Sequence, residues 1–449
     1  MPTSAHSFLH PQPASAIGSW TGLPRRLSGF TRKAVVLLPL VAASVRAQKA
    51  LSWQDIQAQF EASNPALSAA KANVEESKAA EISAYLRPNP NVTGLLDQFT
   101  PFSSNPSPNS NSPVYRPLAN VLPYGSISYL HERQHKRELR LESSRQATEV
   151  MSQSMQDLKR NLLFNLRNAF VLTLQSKAQL QNARNNLEYW DRELALNRQR
   201  LAAGDLAEID LNRLELLRAQ FQADHEASIV ALRTSKIQLL QLLNSRAHVD
   251  EFDVDGPFEF GDGLKPLEEF RQAALAARPD LAAAVESVKL AETNHKLAVA
   301  NGSADPTFSL DLARNPPLTA YMGFSVSIPL RIFDRNQGEK LRTEIDIRRN
   351  QRLRDTAESQ VFSDVDSAYT TLEGALNQLR PYKHSYLAMA AKIRDRVEFS
   401  FKHGGASLLD YLDAEKSYRD TRLAYLNLVG SYLVAAAQMN LAAGSEVIP

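Results

Sequence analysis

The chain has 449 residues, 43% hydrophobic and 22% charged, the balance of a folded protein long enough for two repeated units. A formal net charge of +2 gives no reason to expect nucleic acid or an anionic surface as partner. The absence of cysteine excludes disulfides, thiolate metal sites, cysteine nucleophiles and lipidation through an amino-terminal cysteine.

Residues 1–33 are polar and proline-rich and close with Arg25, Arg26, Arg32 and Lys33. Ala34 to Val45 is a short apolar run before Arg46-Ala47, too short to span a bilayer but suited to a signal-peptide core. The expectation is export, with residues 1–47 removed. No later stretch has the length and apolarity of a transmembrane helix.

From Leu51 a helical pattern passes Asn64-Pro65 and continues to about Arg87, where Pro88 and Pro90 stop it. Asn91 to Phe99 reads as a strand of about ten residues, the span of one bilayer crossing. Thr100 to Pro117, rich in Ser, Asn and Pro, is expected as a solvent-exposed loop. Near Pro123 to Tyr129, Tyr124, Ser126 and Ser128 alternate with Gly125, Ile127 and Tyr129, the pattern of a second strand.

Between Gly125 and Gly204 there is neither glycine nor proline. A helix over that stretch would be a rod roughly 100 Å long. Within it Leu180, Ala183, Leu187, Trp190, Leu194 and Leu201 follow the spacing of a coiled-coil seam. A second breaker-free stretch runs from Asp205 to Asp255, so two long helices are expected to meet at Ala203-Gly204-Asp205.

The second half repeats this order. Leu267 opens a helix that passes Arg278-Pro279-Asp280-Leu281. Strands follow over Thr307–Leu312 and Tyr321–Ile328, with Met322, Phe324, Val326 and Ile328 on one side, joined by a turn at Asn315-Pro316-Pro317. Helix resumes from Glu339, turns at His403-Gly404-Gly405 and returns to about Ala443. An offset of 200 aligns Gly204 with Gly404, Ile209 with Leu409, Asp210 with Asp410 and Glu215 with Glu415. The chain therefore reads as an internal duplication: 48–250 and 267–449 are two repeats joined by a connector over 251–266. Four strands with one apolar side suit a membrane barrel, but four cannot close, so such a barrel requires an oligomer. The other reading of the same pattern is a small soluble sheet capping a helical rod.

This order resembles the TolC family of outer-membrane efflux proteins over about residues 50–445. The residues that carry the resemblance are Asn64-Pro65, Arg278-Pro279-Asp280-Leu281, Gly204…Asp210, Gly404…Leu409-Asp410-Tyr411-Leu412-Asp413-Ala414, and Gly323 to Leu330 running into Phe333-Asp334-Arg335-Asn336-Gln337-Gly338. The last run is similar to the heavy-metal (cobalt-zinc-cadmium) branch. The resemblance implies a mainly α fold with a small β part. Three protomers would form a twelve-stranded β-barrel over an α-barrel of helical hairpins. It implies a passive homotrimeric duct in the outer membrane, without catalytic residue, cofactor or metal centre, meeting a periplasmic adaptor and an inner-membrane pump of the RND type. Metal cations are the cargo its heavy-metal branch suggests. Asp410 and Asp413 match acids that ring the periplasmic entrance, and Asp210 matches an acid in the other tip. Gly204, Gly404 and Gly405 are expected as turn residues with structural roles. The tyrosine and arginine that latch the entrance in TolC itself fall on Phe401 and Ala406, so that latch is absent or differently built. For Asp410 the bland alternative is a carboxylate capping a hairpin turn on a solvated face.

Two other classes compete with the duct. His131-Glu132-Arg133-Gln134-His135 satisfies H-E-x-x-H, a zinc-protease signature when both histidines share a helix face. It lacks an evident third ligand and sits at a strand-to-helix junction. A periplasmic adaptor or coiled-coil scaffold would account for long hairpins, but not for two of them with duplicated strand pairs.

Overall fold

The computed structural model describes residues 50–99, 102–103, 113–115, 121–314 and 319–448. The leader, the turn at Asn315-Pro316-Pro317 and most of Thr100–Pro117 lie outside these residues. Of that loop, β2 (Phe102–Ser103) pairs antiparallel with β3 (Val114–Tyr115), so part of it is a short ladder.

Each half opens with two helices, where the sequence pattern suggested one. α1 (Trp53–Ser63) is closed by Asn64, whose Oδ1 accepts from Leu67 N at 2.9 Å and so caps α2 (Pro65–Tyr85). Pro65 stands at the first helical position, where its missing N–H costs nothing. In the second half α5 (Leu267–Ala277) and α6 (Pro279–Asn301) break in the same way at Arg278-Pro279. Arg278 is buried there. Its guanidinium donates to Asp280 at 2.6 Å and to Asp364 at 2.8 Å.

β1 (Asn91–Asp97), β4 (Leu122–Leu130), β5 (Thr307–Ala313) and β6 (Tyr321–Ser327) form one antiparallel sheet in the order β1-β4-β5-β6. Three strands have seven residues and one has nine, shorter than the ten expected. The register places Val92, Ile127, Leu310 and Phe324 in one row across the sheet. All four are exposed, Val92 by 78% and Phe324 by 70%.

Below the sheet run the hairpins. α3 (Lys136–Ala202) is an unbroken helix of 67 residues, about 100 Å by its rise, and α4 (Glu208–Leu242) returns from it. In the second half α7 (Gln337–Pro381) passes through a five-residue π-helical segment, Tyr382–Tyr386, into α8 (Leu387–Lys402). α9 (Leu408–Ala443) returns. Each half has its own core: Ile56, Phe60, Leu166 and Phe170 with Leu239 in the first, Phe270, Val361, Val365 and Leu372 with Val429 and Met439 in the second. A third cluster, near the tips, draws on both hairpins. Among the described residues no helix is long and apolar enough to cross a membrane.

Candidate functional site

The two tips are built by the same backbone device. Gly204 (φ 83°) and Gly404 (φ 74°) take the left-handed conformation that favours glycine. In the first tip, Gly204 N donates to Leu201 O at 3.0 Å and Asp205 N to Arg200 O at 2.9 Å. In the second, Gly404 N donates to Phe401 O at 3.1 Å and Gly405 N to Ser400 O at 2.8 Å. Both are Schellman closures of the preceding helix. Gly405 has a different reason to be glycine: a Cβ there would lie 2.8 Å from Ser400 Oγ.

The helices that leave the tips start differently. Ser407 Oγ accepts from Asp410 N at 3.2 Å, while Asp410 Oδ2 accepts from Ser407 N at 3.0 Å, a capping box. Hydrogen bonds from Ser407 hold the Asp410 carboxyl below its ordinary range. The first tip has Ala207 at the equivalent place and no side-chain cap, and Asp210 pairs instead with Arg213 at 3.2 Å. Asp413 is exposed one turn beyond Asp410, without an ion pair among the described residues. Within one protomer, then, Asp410 acts as a cap, and both acids remain open to solvent.

Behind the tips the hairpins meet in a cluster of Trp190, Leu194, Leu211, Leu214, Phe221, Phe401, Leu408 and Tyr411. Trp190 stacks on Phe221, with ring centroids 5.4 Å apart. Phe401, at the latch position, lies flat against Tyr411 at 5.0 Å and is buried, and Ala406 packs on the same cluster. Links between the hairpins here include Tyr189 to Tyr411, hydroxyl to hydroxyl at 2.8 Å, and Lys402 Nζ to Glu193 at 3.5 Å. The sequence pattern pairs Glu415 with Glu215 and includes Tyr411 in the tip motif, but does not single out Tyr189, Glu193 or Lys402. Their only signal was polar character near a coiled-coil seam.

The H-E-x-x-H run does not form the helical pair that the zinc-protease pattern requires. His135 adopts φ 55°, ψ 27° and α3 starts only at Lys136, so the two histidines do not share a helix face. Glu132 accepts two hydrogen bonds from Arg140, at 2.5 and 2.8 Å, and is not free to act as a base. The segment instead ties the halves together: Arg133 N and Lys136 Nζ both donate to Asp305, at 2.9 and 2.6 Å. No group of three potential ligands that could hold a metal ion occurs among the described residues.

A small sheet with an exposed apolar row, joined to long helical hairpins in each half, is the fold of solved TolC-like outer membrane efflux channels. Residues 270–445 match the outer membrane efflux protein family. The chain is 22% identical over 388 residues to the cobalt-zinc-cadmium resistance protein CzcC of Cupriavidus metallidurans, covering 84% of this chain and 86% of that protein. Among solved structures it is similar to CusC, with a TM-score of 0.70 at 19% identity over 88% of this chain and 92% of that one. The outer membrane protein VceC of Vibrio cholerae gives 0.68 at 15% identity over 88% and 96%. The open state of the MtrE outer membrane channel of Neisseria gonorrhoeae gives 0.68 at 19% over 88% and 89%.

Proposed function

We propose that three copies of the chain close one barrel through the outer membrane and continue it as a helical tunnel, a passive duct without enzymatic activity. The observation that carries this is the four-stranded sheet. Its apolar row is exposed from edge to edge, and β1 and β6 have no neighbour on their outer sides among the described residues. An open edge in hydrocarbon leaves backbone groups unpaired, at several kcal/mol each. Since β1 and β6 run in opposite directions, β6 of one copy can pair antiparallel with β1 of the next, and three copies give twelve strands. The apolar row then faces lipid, and the repeats 48–250 and 267–449 supply the tunnel wall, joined by 251–266.

In this assembly Asp410 and Asp413 form carboxylate rings at the periplasmic entrance, with Asp210 beside them. A periplasmic adaptor meets the tips and an inner-membrane pump, of the RND type, feeds the duct. Similarity to CzcC supports metal cations as cargo. Cross-linking of outer-membrane fractions should give a species at three times the protomer mass; a soluble monomer would sink the reading. In bilayers, Asp410→Ala with Asp413→Ala should weaken block by multivalent cations about tenfold, because ringed carboxylates concentrate cations. Unchanged block would remove the ring.

A further inference from the structure

The junction behind the tips carries more acid than base. Tyr189 and Glu193 reach it from α3, Arg394, Glu398 and Lys402 from α8, and Tyr411, Glu415 and Tyr418 from α9. Lys402 Nζ lies 2.5 Å from Glu398 and 3.5 Å from Glu193, so those two carboxylates share one ammonium. Glu415 has no comparable cation, and the neutral Tyr189 hydroxyl is what helps hold its ionised form. Its side chain is 9% exposed, and its Oε1 is buried without a hydrogen bond from any described residue. The nearest cation, Arg394, has its Nε 3.9 Å away, lies over the Tyr418 ring and donates to Asp395. Burial also pushes the Tyr189 and Tyr411 hydroxyls far above their ordinary range, so neither supplies a negative charge.

We propose that Glu415 is a proton-binding site that sets how tightly the second hairpin packs on the first. With its carboxyl protonated the α3–α8–α9 junction is closed; ionisation loosens it and frees the tips to part. This rests on the duct reading for its consequence, an entrance held shut in acid and released toward neutral and alkaline pH. It needs no channel for the packing change itself.

The physical reason is desolvation. An ionised carboxylate at the edge of the Trp190, Phe401 and Tyr411 cluster loses its water and gains a distant guanidinium and one tyrosine hydroxyl, and the cheapest remedy is to let water in. Burial, opposed by Arg394 and the Tyr189 hydroxyl and reinforced by Glu398 and Glu193, pushes the carboxyl up from 4.5 to about 7. The packed junction therefore binds the proton more tightly than the loosened one. Its stabilisation is fully present below pH 4.5 and is lost as pH rises through about 7. Glu215, the equivalent residue of the first hairpin, is exposed and paired with Arg198 at 2.8 Å, and offers no such control.

Because the chain has no cysteine, a single thiol can report on the junction. Ala406→Cys places one against the cluster, and Arg396→Cys, on the exposed side of α8, corrects for thiol ionisation. The full-length protein in detergent is labelled between pH 5 and 8.5 with a maleimide, and bilayer conductance is recorded in parallel. The Ala406→Cys rate, relative to Arg396→Cys, should rise about tenfold across this range in the parent and stay low and flat with Glu415→Gln. Glu415→Met, neutral and of similar length, should give the same flat profile. A rise that survives in either variant, or a flat parent profile, overturns the proposal. Conductance that follows the thiol profile supports both readings. A protein that shows the profile but never conducts defeats the duct and sustains the proton site.

Discussion

The two hairpins share a length and a turn, yet they are not mechanically alike. α3 runs 67 residues without interruption, whereas its counterpart passes through Pro381 and the π-helical segment Tyr382–Tyr386. Proline has no N–H to donate and its ring crowds the carbonyl four residues back, so the regular helical ladder is interrupted at Pro381, and the π-helical segment follows directly. At the tip the first hairpin holds its acid in a surface ion pair, and the second buries one. The first is a continuous strut. The second has a seam at Pro381 and a titratable contact between that seam and the tip, so the part able to change its packing is α8 with the start of α9. Two hairpins of the same element order thus divide support and response between them.

The comparison extends upward to the helix breaks, where the largest effect is expected. Asn64 in the first half caps a helix, but Arg278 in the second neutralises Asp280 and Asp364 in a buried network and reaches Ala442 O at 3.4 Å. Burial alone would raise the Asp280 carboxyl, and Arg278 more than offsets this and holds it low. Arg278→Ala would remove the shared donor of two half-buried carboxylates, leaving Asp280 with Arg160 and Asp364 with Gln360, and should cost about 1.5–3 kcal/mol. Asn64→Ala loses one cap and should cost about 1 kcal/mol. Denaturant unfolding of both variants decides it. Equal losses would mean the Arg278 network adds nothing beyond helix termination.

How far these differences were legible in the sequence depends on whether their cause is local. Gly204, Gly404 and the breaker-free stretches act through the backbone within a few residues, and the element order and both turns could be read from them. The break at Asn64 is local too, but the helical period of the flanking residues continues across it and hid it. Strand lengths were overread because alternation persists beyond the ladder: Ile328 continues the apolar side of β6 after pairing has ended at Ser327. The H-E-x-x-H spacing assumed a helix that the left-handed His135 prevents from starting. Glu415 was visible as the repeat partner of Glu215, but its burial depends on which face of α9 meets α3, more than 200 residues away in the chain. No local pattern carries that.

Two smaller effects test the tips directly. Ser407→Ala removes the capping box and should destabilise α9 by about 1 kcal/mol, while Ala207→Ser creates a cap in the first tip and should stabilise α4 by a similar amount. Hydrogen exchange of the first turns of α9 and α4 reports each locally; changes of the same sign would show that cap chemistry does not distinguish the tips. The smallest expected effect is the most informative control. Glu215 and Arg198 form an exposed pair, worth about 0–1 kcal/mol and weakened by salt. Glu215→Gln should therefore leave both the stability and the pH profile of the Ala406→Cys thiol where the parent has them. If it flattened that profile as Glu415→Gln is expected to, the proton dependence would be a property of tip charge in general. The burial that sets Glu415 apart from its repeat partner would then have no role in it.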